Sequence, residues 1–192
     1  MAHVDMTARR PWRGTAAIAG LLAAACASGP NRAVHHDPAI DGAERFFPLA
    51  LGDAWAYETE GPDAVLFVSR VIARKGGSAV VSSGGGESVR YTIARDGLSR
   101  EGGATVYRWP ARAGDGWPIA DGQAVVASIG AREQTPAGVF EGCLVVEETT
   151  ASRRVTTAFA PGVGPVRVEV VGADGTRVVA RLRSFTRAEA TR

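Results

Sequence analysis

The residue types that perform chemistry are sparse in this chain. Its three histidines are His3, His35 and His36, all ahead of the segment that reads as folded. Residues 44–187 therefore offer no imidazole, which excludes a Ser-His-Asp or Cys-His arrangement and any histidine-based zinc site there. His35-His36-Asp37 could touch a metal, but adjacent residues on an irregular segment fix no coordination geometry. Paired carboxylates hydrolyse glycosides without histidine, and two pairs are candidates: Glu58 with Glu60 on one strand face, and Glu147 with Glu169 on strands read as neighbours. Nothing around either pair argues for a raised pKa, so both read as solvent-facing charges. Ser83-Gly84-Gly85-Gly86-Glu87 is glycine-rich but lacks the Lys-Ser or Lys-Thr and the helix of a phosphate-binding loop. It reads as a hairpin tip, and no catalytic residue, metal or cofactor is expected.

The two cysteines differ in context. Arg9, Arg10 and Arg13 precede an uncharged stretch, Gly14 to Ala25, that is short of the ~20 apolar residues of a membrane span. A basic segment followed by a short apolar one is a signal peptide. Leu22-Ala23-Ala24-Ala25-Cys26 then resembles the lipobox of bacterial lipoproteins, with Ala23 where a leucine is more usual and Leu22 one place early. The resemblance implies cleavage before Cys26 and a diacylglyceryl group on its thiol. Arg9-Arg10 is followed by Pro11 and reads as an ordinary basic segment, not a twin-arginine signal. Cys143 is then left without an intramolecular partner, so no disulfide framework is expected. Within Phe140-Glu141-Gly142-Cys143-Leu144-Val145-Val146 it reads as a small buried hydrophobe on a strand.

Charge narrows the partners. The chain carries 22 basic and 20 acidic side chains, and removing residues 1–25 takes away three of the former (Arg9, Arg10, Arg13) and one of the latter (Asp5), leaving a mature chain in balance. A phosphate-tracking protein concentrates its basic residues in a stripe. Here the charges are scattered and Lys75 is the single lysine, so nucleic acid is not an expected partner.

Behind these residues stands an all-β chain. Residues 26–43 hold two prolines, two glycines and no apolar periodicity, and read as a tether after the lipidated cysteine. Residues 44–187 read as one β domain, with 188–192 as a tail. Along Arg177 to Phe185, Val178, Ala180 and Leu182 share one face, and Arg177, Arg181 and Arg183 the other, the alternation of a half-buried strand. Gly164 to Val171 behaves likewise, with Val166, Val168 and Val170 set against Arg167 and Glu169, and Gly172-Ala173-Asp174-Gly175 joins the two as a hairpin. Further strands read at 55–60, 64–73, 78–83, 88–95, 97–101, 105–109, 123–132, 138–149 and 154–160. Short links favour antiparallel neighbours. The expected fold is a single antiparallel meander of about ten strands curled into a barrel or half-barrel, the alternative being a two-layer β-sandwich.

One segment is echoed. Phe47-Pro48-Leu49-Ala50-Leu51-Gly52-Asp53-Ala54-Trp55 recurs as Trp109-Pro110-Ala111-Arg112-Ala113-Gly114-Asp115-Gly116-Trp117. Proline holds the preceding aromatic extended, glycine admits positive φ, and aspartate bonds backbone amides two residues on. Each turn is expected to plug an end of the core with its indole, Trp55 or Trp117, as a structural motif.

Extended to Tyr57, the first of these segments resembles the opening of a family of bacterial exported proteins and lipoproteins of unknown function, "(Y/F)FPL-x-x-G-(N/D)-x-W-x-Y". Thr135-Pro136-Ala137-Gly138-Val139-Phe140-Glu141-Gly142-Cys143 resembles that family's "PAGTF-x-x-C" segment, with Val139 for threonine. Phe159-Ala160-Pro161-Gly162-Val163-Gly164-Pro165-Val166 resembles its "APGVGLV" segment, with Pro165 for leucine. The resemblance implies a β-rich envelope domain without an assigned reaction. By themselves, Pro136 with Gly138, and Pro161 with Gly162 and Gly164, read as turns that set strand register.

Together these readings describe an exported protein anchored to a membrane by an N-terminal lipid. Ala27 is not the aspartate associated with inner-membrane retention, so the outer membrane is expected if the source is Gram-negative. The β domain is expected to be non-catalytic, with a binding or structural role and no identified protein partner. A carrier of lipid or another apolar ligand is the alternative, and an enzyme the remaining class. Aromatic residues on most strands are expected to fill the interior and leave no lipid-sized cavity.

Overall fold

A computed structural model describes residues 41–188. The segment read as a signal peptide over 1–25, Cys26 read as the lipidation site, the segment read as tether as far as residue 40 and residues 189–192 of the tail lie outside the described residues.

Twelve strands form one antiparallel sheet. They are β1 (Ala54–Thr59), β2 (Leu66–Lys75), β3 (Ser78–Ser83), β4 (Ser88–Ala94), β5 (Gly97–Arg100), β6 (Ala104–Arg108), β7 (Gly116–Ile119), β8 (Gly122–Thr135), β9 (Gly138–Thr150), β10 (Arg153–Ala160), β11 (Gly164–Gly172) and β12 (Arg177–Thr186). Each strand but β6 pairs with its successor, and β12 returns to pair with β1. The circle is broken between β6 and β7, so the meander is a nearly closed barrel with one seam. No α-helix occurs among the described residues.

The seam has a local cause. Strand β7 has four residues, one of them Pro118, which has no N–H to give a neighbouring strand and belongs on an edge. That proline and the shortness of the segment hid β7 in the sequence, while the other eleven strands fall where alternation placed them. Across the seam the Trp117 indole N–H donates to the Thr105 carbonyl at 3.0 Å.

Antiparallel order assigns the strand ends to two rims. At one rim lie both echoed turns and a 3₁₀ helix over Gly42–Phe46. Ala43 is buried there, and its carbonyl accepts the Tyr107 hydroxyl at 2.7 Å. Ala188 donates its amide to Asp53 at 2.9 Å. The fold thus takes in Gly42 and Ala43 from the segment read as tether and Ala188 from the segment read as tail. Phe46, Phe47, Leu49, Trp55 and Tyr107 pack into this rim and close it. The opposite rim carries only hairpin tips, at 60–65, 84–87, 101–103, 120–121, 151–152 and 173–176.

Two details of register depart from simple alternation. On β12, Ala180 and Leu182 are buried, while Val178 on the same face stays 48% exposed. On β11 a bulge opposite Ala158 and Phe159 brings Pro165, instead of Val166, onto the wall shared by Val168 and Val170. Bulges also bend the long β8–β9 hairpin, whose turn reaches β12: Ala137 donates its amide to the Leu182 carbonyl at 3.0 Å, and Arg181 reaches the Gln134 carbonyl at 2.7 Å.

Candidate functional site

The echoed turns are two copies of one hydrogen-bonded unit. In the first, the Asp53 carboxylate accepts the Ala50 amide at 3.0 Å and the Asp53 amide donates to the Ala50 carbonyl at 3.0 Å. In the second, Asp115 and Arg112 make the same pair of bonds. The aspartates reach an amide three residues back, not two residues on, because Gly52 (φ 92°) and Gly114 (φ 87°) turn the chain back upon itself in a conformation that L side chains avoid. Both turns sit at the same rim, so together they close one end and do not plug two.

The turn containing Pro161, Gly162 and Gly164 lies against the first of these. The Trp55 indole N–H donates to the Val163 carbonyl at 2.7 Å, and the Gly162 amide to the Arg45 carbonyl at 2.7 Å. A Cβ on Gly164 would stand 2.8 Å from the Phe47 ring, so this glycine is required by close packing. Arg74 ties the rim from β2, donating to the Leu49 carbonyl at 3.2 Å and pairing with Glu44 at 2.6 Å. Trp55 and Trp117 are each 2% exposed. Pro110, Gly114 and Asp115 border the seam, and Pro136 and Gly138 lie at the hairpin turn against β12. The quoted motif residues therefore build the closed rim, the seam and the bent hairpin.

Above the closed rim the barrel is not filled. An apolar hollow of about 370 Å³ opens toward the free rim. Phe47 and Trp55 form its floor, Tyr57, Phe67, Val81, Val89 and Tyr91 one side, and Pro165, Val168, Val170, Val178 and Ala180 the other. The expectation of a filled interior fails because the aromatic rings cluster at the closed rim, Phe47 edge-on to Trp55 and Tyr91 at centroid distances of 5.2 and 5.4 Å. Tyr57 gives its hydroxyl to the Pro165 carbonyl at 2.8 Å, and Ser69 and Ser83 bond each other at 3.1 Å, so these wall polar groups are satisfied. The exposure of Val178 follows from the hollow in front of it.

The hollow continues sideways. A chamber of about 190 Å³ shares Phe47, Tyr91, Pro165 and Val168 with it, and adds Arg100 and Glu148. A third space of about 140 Å³ shares Arg100, Glu148 and Val155, and reaches the free rim at Asp121 and Arg153. Arg100 on β5 and Glu148 on β9 pair across the interior at 2.8 Å, although three strands and the seam separate them in sheet order. Burial pushes the Tyr91 phenol above its ordinary pKa, with Arg100 opposing and Glu148 adding to the rise. These residues were not singled out in the sequence. A signal existed for Glu148, which follows Leu144 and Val146 on the inward face of β9. Arg100 stands in the same relation to the buried Leu98 two residues earlier on β5.

The carboxylates considered for catalysis point elsewhere. Glu58 pairs with Arg183 at 2.6 Å and Glu60 with Arg181, on the outer face. Glu147 and Glu169 are not on neighbouring strands: β10 lies between, with Thr156 opposite both. Glu169 is held below the usual carboxylate range first by the hydrogen bond from Arg177 and then by Arg167. Cys143 lies fully buried in β9, and burial pushes its thiol up to about 12, the environment of an inert cysteine. Among the described residues no group of three or more His, Cys, Asp or Glu is placed to hold a metal. A larger polar cleft of about 660 Å³ follows the seam past Asp96, Ser99, Thr105 and Gly116. Its walls offer little apolar surface, so the interior hollow is the better candidate for a ligand site.

No protein-family model matches the chain, and neither does any curated protein sequence. Among solved structures, a protein of Bacteroides fragilis provisionally described as an exported protein with a YmcC-like fold is similar at 16% identity and a TM-score of 0.49, over 74% of this chain and 99% of that one. A second, provisionally described as a lipoprotein of Parabacteroides distasonis, is similar at 12% identity and a TM-score of 0.46, over 77% of this chain and 100% of that one.

Proposed function

We propose that this chain is an envelope lipoprotein, exported, cleaved before Cys26 and held on a membrane by lipid on that cysteine, whose barrel binds an apolar molecule without transforming it. The carrier reading takes precedence over a packed scaffold for one reason, the apolar hollow of about 370 Å³ open at one rim. That volume lies within the ~300–1,000 Å³ of small-molecule sites, and a barrel that leaves its interior unfilled is a common way to hold a ligand. The lack of histidine in residues 41–188 and the outward, ion-paired carboxylates favour binding over catalysis. The lipobox-like Leu22-Ala23-Ala24-Ala25-Cys26 supports the anchor, and Ala27 favours the outer membrane.

Two measurements test the two halves. Growth with a fatty-acid analogue should label the wild-type chain and not Cys26→Ser; equal labelling overturns the anchor. Native mass spectrometry of the Cys26→Ser chain, incubated with membrane lipid extract, should show a one-to-one adduct with an apolar molecule. A chain that stays bare, with its tryptophan fluorescence unchanged, overturns the carrier.

A further inference from the structure

Resting on that carrier reading, we infer that the ligand is a single-chain amphiphile with a zwitterionic head, a lysophospholipid being the simplest example. The interior is graded. Its largest part is walled by aromatic and aliphatic side chains, the middle chamber mixes Val146, Val155 and Phe159 with Arg100 and Glu148, and the outermost space ends on Asp121 and Arg153 at the free rim. A molecule lying across the lumen would therefore have one apolar end and one polar end. Taking for each methylene roughly the 30 Å³ that a water occupies in the liquid, the apolar hollow of 370 Å³ accepts one chain of about a dozen carbons. Two such chains would need about twice that volume.

The charges choose the head. Arg100 and Arg153 are matched by Glu148 and Asp121 around the same space, and Glu148 is only 14% exposed. A carboxylate entering here meets Arg100 but also faces Glu148, and a like charge brought close with little water between is costly. An ammonium ion meets the converse problem at Arg100 and Arg153. A head with both signs satisfies both: its phosphate takes guanidinium donors and its ammonium the carboxylates. Tyr91, opposite Arg100 in the β4–β5 pair, lines both the apolar hollow and the charged chamber.

The test measures binding of lauroyl lysophosphatidylcholine, laurate, dodecyltrimethylammonium and dodecanol, each below its micelle concentration, to the whole chain carrying Cys26→Ser. The lysophospholipid should bind at least about tenfold more tightly than either singly charged amphiphile, a difference of roughly 1.4 kcal/mol. Adding Asp121→Asn should move preference toward laurate, and Arg153→Gln toward dodecyltrimethylammonium. Both positions are exposed at the rim, and a thermal melt verifies that each variant folds. If either singly charged amphiphile or dodecanol binds tightest, or all four bind alike, the head-group inference falls while the carrier stands. If none binds, dodecanol included, both fall.

Discussion

Asp53 and Asp115 accept the same hydrogen bond, each from the amide three residues earlier at 3.0 Å, yet they stand in different surroundings. Asp53 is 1% exposed and also holds the Ala188 amide at 2.9 Å. Asp115 is half-buried at the seam. A hydrogen bond to a charged group contributes about 1.5–3 kcal/mol, and a buried donor left without a partner costs more than an exposed one. Asp53→Ala should therefore lose roughly 3 kcal/mol, and Asp115→Ala about 1 kcal/mol. Denaturant midpoints at constant slope measure both, and equal losses would mean that the two turns carry the same load.

Trp117 is the side chain that reaches across the open seam. Trp117→Phe keeps an aromatic ring and removes the bond to Thr105, at a cost of about 1 kcal/mol. Amide hydrogen exchange should speed up in β6 and β7, the two edges, and stay unchanged around Trp55. Uniform acceleration would indicate global destabilisation without opening of the seam.

Cys143 should be silent toward thiol reagents until the chain unfolds. The folded chain keeps this proton up to about pH 12, whereas an unfolded chain releases it near pH 8.5. Between these values the folded state binds more protons, so stability falls as pH rises, by at most about 1.4 kcal/mol per unit. Comparing wild type with Cys143→Ala between pH 8 and pH 9.5 cancels the tyrosines, which both chains share, and isolates this group. The wild type should show the steeper decline, and parallel curves would overturn the assignment.

Val178 faces the hollow and is 48% exposed. Val178→Phe adds a ring where there is room, so the usual ~1–3 kcal/mol cost of overpacking should be absent. Binding of an apolar probe should fall by about tenfold or more. A melt that drops sharply would mean that the space is already taken.

Alternation along each strand and short turns determined the all-β class and most strand positions, because the period of two is a local property of the backbone. The same holds for the motif turns: Pro48, Gly52, Asp53 and Trp55 signal their conformation through residues a few places apart. The small span of β7 escaped, since four residues with Pro118 carry too little periodicity. Only the tertiary structure decided that both tryptophan turns share a rim, that the circle breaks between β6 and β7, and that Arg100 meets Glu148 across the interior. Those relations depend on how far the sheet curls before it closes, and curl accumulates from twist and from bulges such as those at Val126, Ile129 and Phe159. The hollow has the same origin. A sequence shows which residues face inward, but the space between facing walls is set by strand number and curvature, and twelve strands around a core whose largest rings gather at one rim leave the other end open.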